Sequence, residues 1–431
     1  MKKILIVAPH YPPSNLAAVH RSRLFAQHLP SFGWEPIVLT VDERFYEERL
    51  DPNLSRLLPD GQRIVRVDAF PVTRPRLVGD IGLRSYLQLR SKALELIRSE
   101  GIDFVYIPIP SFYTSLIGPY LHRHTGVKYG IDYIDPWVHV FPGSDRLFSR
   151  HWWSTKLARW LEPMAVREAS LVTGVAEGYY RGVVDRNPHL RGNCLFHAMP
   201  YGGEPRDHDM VKASGSEPYL FKPGGKRKLV YAGAMLPNAH APIQVIFEVI
   251  SKQPRLFSDV EFHFIGTGKI PNDPESFNIR PYAEKFGLWR QVVFEHPQRI
   301  PYLDVLTHLE ASDGVFILGS TDRHYTPSKT YQAVLSGKPI LAVLHRESTA
   351  VDILRKAGAG IVMDFPDGRS EESIREDFIP CYRSYRDFSE TFDPSQVDKS
   401  SFERYSAKSV TSELAQCLES VMRGDSVQYS P

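Results

Sequence analysis

Residues 314–343 decide how this chain reads. Gly314-Val315-Phe316-Ile317-Leu318 is an apolar run, and Gly319-Ser320-Thr321 breaks it. Thr326-Pro327-Ser328-Lys329-Thr330-Tyr331-Gln332-Ala333-Val334-Leu335 then has helical spacing, and Ile340-Leu341-Ala342-Val343 returns to an apolar run. A run with no polar alternate side fits a strand buried on both faces, and two such strands joined through a helix lie parallel. The cycle repeats in both directions. Strands are predicted near 228–232, 260–265, 291–294, 314–318, 339–343 and 360–363, with helices near 241–253, 275–286, 302–310, 328–336 and 349–357. Upstream, strands are predicted near 3–8, 36–41, 63–67, 103–107, 127–132, 170–174 and 193–197, with helices near 17–29, 83–99, 112–124, 154–168 and 176–185.

The fold class that follows is α/β, with two doubly wound parallel domains and a cleft between them. Residues 1–205 form the first domain and 227–395 the second. The stretch 206–226, rich in Gly, Pro, Ser and charge, reads as a linker. Within 396–431 an apolar stripe (Phe402, Tyr405, Val410, Leu414, Cys417, Leu418, Val421) marks a last helix over 402–422 that must pack on a domain.

Composition narrows the function classes. Of 431 residues, 42% are hydrophobic and 24% charged, the balance of a globular chain and not a disordered one. Lys plus Arg number 52 against 50 Asp plus Glu, and a net +2 argues against a polyelectrolyte grip on nucleic acid. No apolar run approaches the ~20 residues of a spanning helix. The start Met1-Lys2-Lys3-Ile4-Leu5-Ile6-Val7 is stopped by Pro9, Pro12 and Pro13 and is not expected to be a signal peptide. Three scattered cysteines (Cys194, Cys381, Cys417) make neither a disulfide framework nor a zinc pattern, so a reducing cytoplasm and no metal are expected.

In open α/β sheets ligands bind at the carboxyl ends of strands, so those turns are where to look. After the strand at 314–318, Thr326 is a good N-cap and Pro327 suits the first helical position. The N–H groups of Ser328 and Lys329, with the Lys329 ammonium, would converge on a negative group such as a diphosphate. Glycine turns at Gly233 and at Gly266-Thr267-Gly268 close two more strands at the same edge. In the first half, strand one runs into Ala8-Pro9-His10-Tyr11-Pro12-Pro13-Ser14-Asn15 and a helix with Arg21 and Arg23, a second place where backbone N–H groups face an anion. His10 and His20 are acid/base candidates or structural histidines. Asp207-His208-Asp209 reads as a solvated loop. Two basic, aromatic stretches, 74–98 and 141–167, read as amphipathic helices facing the core or as contacts for anionic lipid.

The Tyr11-Pro12-Pro13 turn, the strand ending Phe264-Ile265-Gly266-Thr267-Gly268-Lys269, and Thr326-Pro327-Ser328-Lys329-Thr330-Tyr331-Gln332-Ala333-Val334-Leu335-Ser336-Gly337-Lys338-Pro339 together resemble GT-B glycosyltransferases, those of family 4 in particular. The resemblance implies two Rossmann-like domains, with a nucleotide sugar held mainly by the second and an acceptor by the first. It also implies a last helix that crosses back to the first domain, and retaining transfer with neither cofactor nor metal. The donor residues it implies are Ser14, Asn15, Gly233, Gly266, Gly268, Thr326, Ser328, Lys329 and Gln332. Lys269 or Arg21 would help neutralise phosphate. The partners expected are a nucleotide sugar and a glycan or lipid-linked acceptor, to which the basic, aromatic stretches 74–98 and 141–167 add an anionic membrane surface.

One departure concerns a pair of carboxylates. The family places two glutamates eight positions apart, where this chain has His324 and Gln332. The resemblance puts His324 on the donor sugar and Gln332 on the ribose hydroxyls, without carboxylate charge. Asp135, in Asp132-Tyr133-Ile134-Asp135-Pro136-Trp137, would position or deprotonate the acceptor hydroxyl, or else cap the following turn with Trp137 as packing. The missing glutamates keep two alternatives open: a non-catalytic nucleotide- or glycan-binding partner protein, and a sugar-nucleotide epimerase.

Overall fold

The computed structural model describes residues 1–73, 78–138, 147–270, 272–321 and 329–425. The chain forms two compact units: Met1–Gly202 with Ala407–Pro431, and Gly203–Ser406.

In unit 1 the strands are β1 (Lys2–Val7), β2 (Trp34–Val41), β3 (Arg63–Val67), β4 (Phe104–Ile109), β5 (Lys128–Tyr133), β6 (Leu171–Gly174) and β7 (Leu195–Ala198). They lie in the order β3-β2-β1-β4-β5-β6-β7, every pair parallel. Unit 2 contains β8 (Arg227–Ala232), β9 (Val260–Ile265), β10 (Val293–His296), β11 (Gly314–Leu318), β12 (Ile340–His345) and β13 (Gly360–Phe365), in the order β10-β9-β8-β11-β12-β13, again all parallel. Each sheet has the doubly wound order, reversing direction between β1 and β4 in one and between β8 and β11 in the other.

Both faces of the first sheet are covered, as its uninterrupted apolar strands require. Along β1, Leu5 and Val7 face one core with Ile37, Leu39, Val105 and Ile131. Ile4 and Ile6 face the other, with Val38, Phe104 and Tyr106. The helix Ala407–Arg423 closes that second face through Val410, Leu414, Leu418 and Val421, and Lys2 meets Glu419 at 2.5 Å. In the second sheet, Leu229, Tyr231, Phe262, Phe264, Phe316 and Leu341 pack with the helices His240–Ser251 and Ser370–Thr391.

The stretch expected as a linker is instead structured. Pro205–Ser214 is a helix, with Pro205 in its first turn and the Glu204 carboxylate accepting from Arg206 N. Asp207 and His208, read from sequence as solvated, are buried in unit 2. The last helix also starts later than the stripe suggested. Phe402 and Tyr405 pack with tilted rings near Tyr331 in unit 2, and the helix begins only at Ala407. At the two crossings between units the chain passes beside itself. Gly203 N donates to Tyr405 O at 2.9 Å, and a Cβ on Gly202 would fall 2.4 Å from Ala407 Cα, so only glycine fits there.

Unit 1 also buries a charge pair. Arg21, from the helix Ala17–His28, donates through Nε and Nη2 to both Asp132 oxygens (2.6 and 3.0 Å) and through Nη1 to Pro200 O (3.0 Å). The Thr173 hydroxyl donates to Asp132 at 2.8 Å and lies 2.7 Å from Tyr106 Oη. The network ties β4, β5, β6 and the first helix together, and it commits Arg21 to structure instead of to a bound phosphate. Asp132→Ala would leave a buried guanidinium uncompensated and should cost about 3–5 kcal/mol. Chemical denaturation reads this directly. A loss well under about 1 kcal/mol would show that the pair is not desolvated.

Candidate functional site

At the carboxyl end of β8, Gly233 adopts φ +121°, which side-chain-bearing residues rarely adopt. A Cβ there would sit 3.3 Å from Lys329 Nζ, so glycine leaves the space that the lysine fills. Lys329 opens the helix Lys329–Leu335, and its Nζ lies 3.6 Å from the centroid of the Tyr231 ring. Tyr231 is itself fixed by donating its hydroxyl to Ala234 O at 3.0 Å. The ammonium is buried and has no hydrogen-bond partner among the described residues. Burial pushes it down from 10.5 to about 7. At about 1.4 kcal/mol per pKa unit, the charged form is disfavoured by on the order of 5 kcal/mol until an anion joins it.

Two neighbouring turns are rigid. After β9, Gly266 N donates to His296 O and Gly268 N to Pro297 O, and a Cβ on Gly268 would lie 2.7 Å from Pro297 O. The buried carboxylate of Glu295 accepts from Thr267 Oγ1 (2.8 Å) and from the N–H groups of Asn278, Ile279 and Arg280 (2.8–2.9 Å). That capture confines the helix expected over 275–286 to Arg280–Lys285. After β11, Thr321 N donates to Asn238 O at 3.2 Å, joining the β11 turn to the loop that follows β8. Lys269 is exposed.

Gln332 is held from behind. Its Oε1 lies 2.9 Å from His208 Nε2, and His208 Nδ1 lies 2.7 Å from Glu310 Oε1. The carboxylate charge absent at position 332 is thus present one imidazole away. Tyr302 donates to the neighbouring Asp207 at 2.9 Å. Neither His208 nor Glu310 was singled out from sequence as a site residue, since 124 and 102 positions separate His208 from its two partners. His324, Thr326 and Ser328 lie outside the described residues.

In unit 1, Ser14 is buried and its hydroxyl donates to Glu48. His10 Nδ1 stands 2.8 Å from the same Glu48 oxygen. Burial raises the Glu48 carboxyl, but His10 and Ser14 outweigh it and bring it to about 2. His10 also packs on Tyr46, whose hydroxyl accepts from Tyr11 N at 3.0 Å. Sequence gave no signal for Glu48, one of several charges after β2. Asn15 is half-buried. Asp135 is exposed two residues beyond β5, while Trp137 is buried and stacks on Phe112 at 5.7 Å. Both readings of this segment therefore keep a physical basis: Trp137 packs, and Asp135 remains open to solvent.

No family model matches the chain, and no curated protein matches it in sequence. Solved structures do. The N-terminal domain of Candida albicans trehalose-6-phosphate phosphatase superposes with a TM-score of 0.64 at 14% identity, covering 98% of this chain and 97% of that one. HepE from Anabaena, in complex with UDP and glucose, gives 0.61 at 14%, covering 97% and 100%. Trehalose 6-phosphate synthase from Burkholderia multivorans gives 0.61 at 11%, covering 99% and 100%.

The fold is GT-B.

Within this GT-B chain, Lys329 gives a signature that needs no ligand. Its native-state value is depressed to about 7 while the unfolded chain titrates near 10.5, so between these values the unfolded state binds more protons. Stability therefore rises with pH across that window. Lys329→Met removes the effect. The variant should be more stable than the parent at about pH 7, and the difference should shrink by roughly 2 kcal/mol by about pH 9. Denaturation curves at both pH values test it; a constant difference means that the ammonium is not buried.

Proposed function

We propose that this chain is a glycosyltransferase that moves a sugar from a nucleoside diphosphate donor to an acceptor hydroxyl of a lipid-linked or polysaccharide intermediate. The observation that carries the reading is the Lys329 ammonium, buried without a hydrogen-bond partner among the described residues at the carboxyl end of β8. A cation kept in that state is completed by an anion, and a diphosphate leaving group supplies one where charge develops. The GT-B fold, shared with HepE in complex with UDP and glucose, supports a nucleotide-sugar donor.

In this reading unit 2 binds the donor. Gly233 gives the Lys329 stem its room, the Gly266–Gly268 turn forms a fixed wall, and Thr326 and Ser328 add donors at the diphosphate. Gln332, steadied by His208 and Glu310, meets the ribose hydroxyls, and His324 meets the sugar. Unit 1 binds the acceptor, with Asp135 orienting its hydroxyl and Ser14 and Asn15 at the turn after β1. Transfer proceeds with retention and without a metal, as the likeness to family 4 implies, at a cytoplasmic site.

A second reading rests on Gln332. With no carboxylate at that position and its oxygen engaged by His208, the chain would be a nucleotide-binding partner without turnover.

Calorimetry with UDP, GDP and ADP, followed by incubation with their sugars, separates the two. The transferase should hydrolyse one donor slowly in the absence of acceptor; binding without turnover supports the partner protein, and interconversion of sugars marks an epimerase. Lys329→Met should weaken binding of the preferred nucleotide roughly 10- to 100-fold, the scale of a lost charge-assisted hydrogen bond. Binding above about pH 7 should also take up a proton in the parent and none in the variant, read as a dependence of the heat on buffer ionisation. Equal affinity in both proteins would remove Lys329 from the site. His208→Ala frees the Gln332 side chain and should weaken the nucleoside diphosphate roughly 3- to 10-fold by the same calorimetry. An unchanged affinity would detach Gln332 from the ribose.

A further inference from the structure

The helix Arg150–Val166 in unit 1 carries apolar residues on two sides. Ala158, Leu161, Ala165 and Val166 are buried in the core, and they fix the helix to the domain. Trp153, Leu157, Trp160 and Met164 point the other way and are 57%, 39%, 66% and 50% exposed. Their spacing of four, three and four positions sets them within about 60° of one another on a helix of 3.6 residues per turn, a stripe about 16 Å long. Immediately before the helix, Leu147 and Phe148 are 68% and 73% exposed, and the Phe148 ring lies 5.6 Å from Trp152. Scattered exposed apolar residues are ordinary, whereas an aligned row that includes two tryptophans marks a contact surface.

Charge selects the occupant. Lys156 and Arg159 are exposed beside the stripe, and Arg167 follows it. Glu162, the helix's acidic residue, is turned inward and held by both Nε and Nη2 of Arg186 at 2.7 and 2.9 Å. The outward side therefore presents indole, aliphatic and cationic groups with no exposed carboxylate among the described residues of the helix. Pairing with a second copy about a two-fold axis would gather the cations of both copies at one seam, with no exposed carboxylate of the helix to oppose them. An anionic lipid surface takes both components: the indoles settle at the headgroup level, the aliphatic groups enter the acyl boundary, and Lys156 and Arg159 keep their heads at the phosphates. The other basic stretch offers less. The apolar side of Tyr86–Glu100 is buried through Leu89, Ala93, Leu96 and Ile97, and Lys92 is paired with Glu95.

We propose that the Trp153–Leu157–Trp160–Met164 stripe docks this protein on an anionic lipid bilayer, with the helix Arg150–Val166 lying along the surface. No helix among the described residues is long and apolar enough to cross a membrane. The proposal stands apart from the nucleotide reading, which concerns unit 2.

The full chain is sedimented with vesicles of phosphatidylcholine alone or mixed with phosphatidylglycerol, at low and high salt. It should pellet with the mixed vesicles, weakly with phosphatidylcholine alone, and less as salt rises and the Debye length shortens. Trp153→Ser/Trp160→Ser should lower vesicle affinity roughly tenfold or more, and Lys156→Glu/Arg159→Glu should abolish the preference for anionic lipid. All four side chains are exposed, so circular dichroism and thermal unfolding should match the parent, and nucleotide affinity measured on the same variants should not move. Failure of the parent to pellet, or pelleting indifferent to phosphatidylglycerol, overturns the proposal. So does a concentration-dependent dimer that the tryptophan substitutions dissolve, which would give the stripe to a second copy. Nucleotide affinity lost in these variants with vesicle binding intact would count against the proposal as well, while absence of nucleotide binding in the parent would strike only the reading of unit 2.

Discussion

Every strand pair in both sheets is parallel, and the rest of the structure depends on that constraint. Parallel neighbours cannot be joined by a hairpin, so each strand must return through a helix laid over a face. The faces are thereby covered, the strands become apolar throughout, and every strand ends at the same edge of its sheet. Gly233, the Gly266–Gly268 turn and the Ser320–Thr321 segment come from distant parts of the sequence. They share that edge because parallel winding leaves them no other place. Chemistry gathers there because backbone groups at strand ends are not consumed by the ladder.

The same constraint explains what could be read from sequence. Apolar runs of four to six residues separated by helical spacing are a local signal, and the strand positions and the doubly wound class followed from it. What failed was whatever depended on the third dimension. Asp207 and His208 sit in a segment with the composition of a linker, yet they are buried because Tyr302, Glu310 and Gln332 reach them from other elements. The stripe from Phe402 to Val421 obeys one helical period, but its first two aromatics serve unit 2 and the remainder serve unit 1. Periodicity reports a face and does not name the body that the face meets. Lys329 was legible as a cation near a turn; its burial against Tyr231 was not, since that needs the coordinates of a strand roughly a hundred residues upstream.

Buried charge is handled in two ways. Unit 1 pairs several of its buried or half-buried charges: Arg21 with Asp132, Arg186 with Glu162, Glu48 with His10 and Ser14. Unit 2 does the same at Glu295, which four donors satisfy, and then leaves Lys329 incomplete. A satisfied carboxylate stiffens a turn, while an unsatisfied ammonium is costly until something arrives. Both features lie at the carboxyl edge of one sheet: a turn pinned by hydrogen bonds and a buried cation without a hydrogen-bond partner among the described residues.

Unit 2 is an interruption of unit 1, entered at Gly202–Gly203 and left at Ser406–Ala407. That ordering bears on how the protein comes off the ribosome. The strands of unit 1 are made first, but the helix that covers Ile4, Ile6, Val38, Phe104 and Tyr106 is made only after the whole of Gly203–Ser406. Until then that face of the sheet meets only the earlier part of its cluster, Phe25, Ala26 and Leu29 among it. A chain that ended between the two crossings would carry that sheet face without the cover of its last helix.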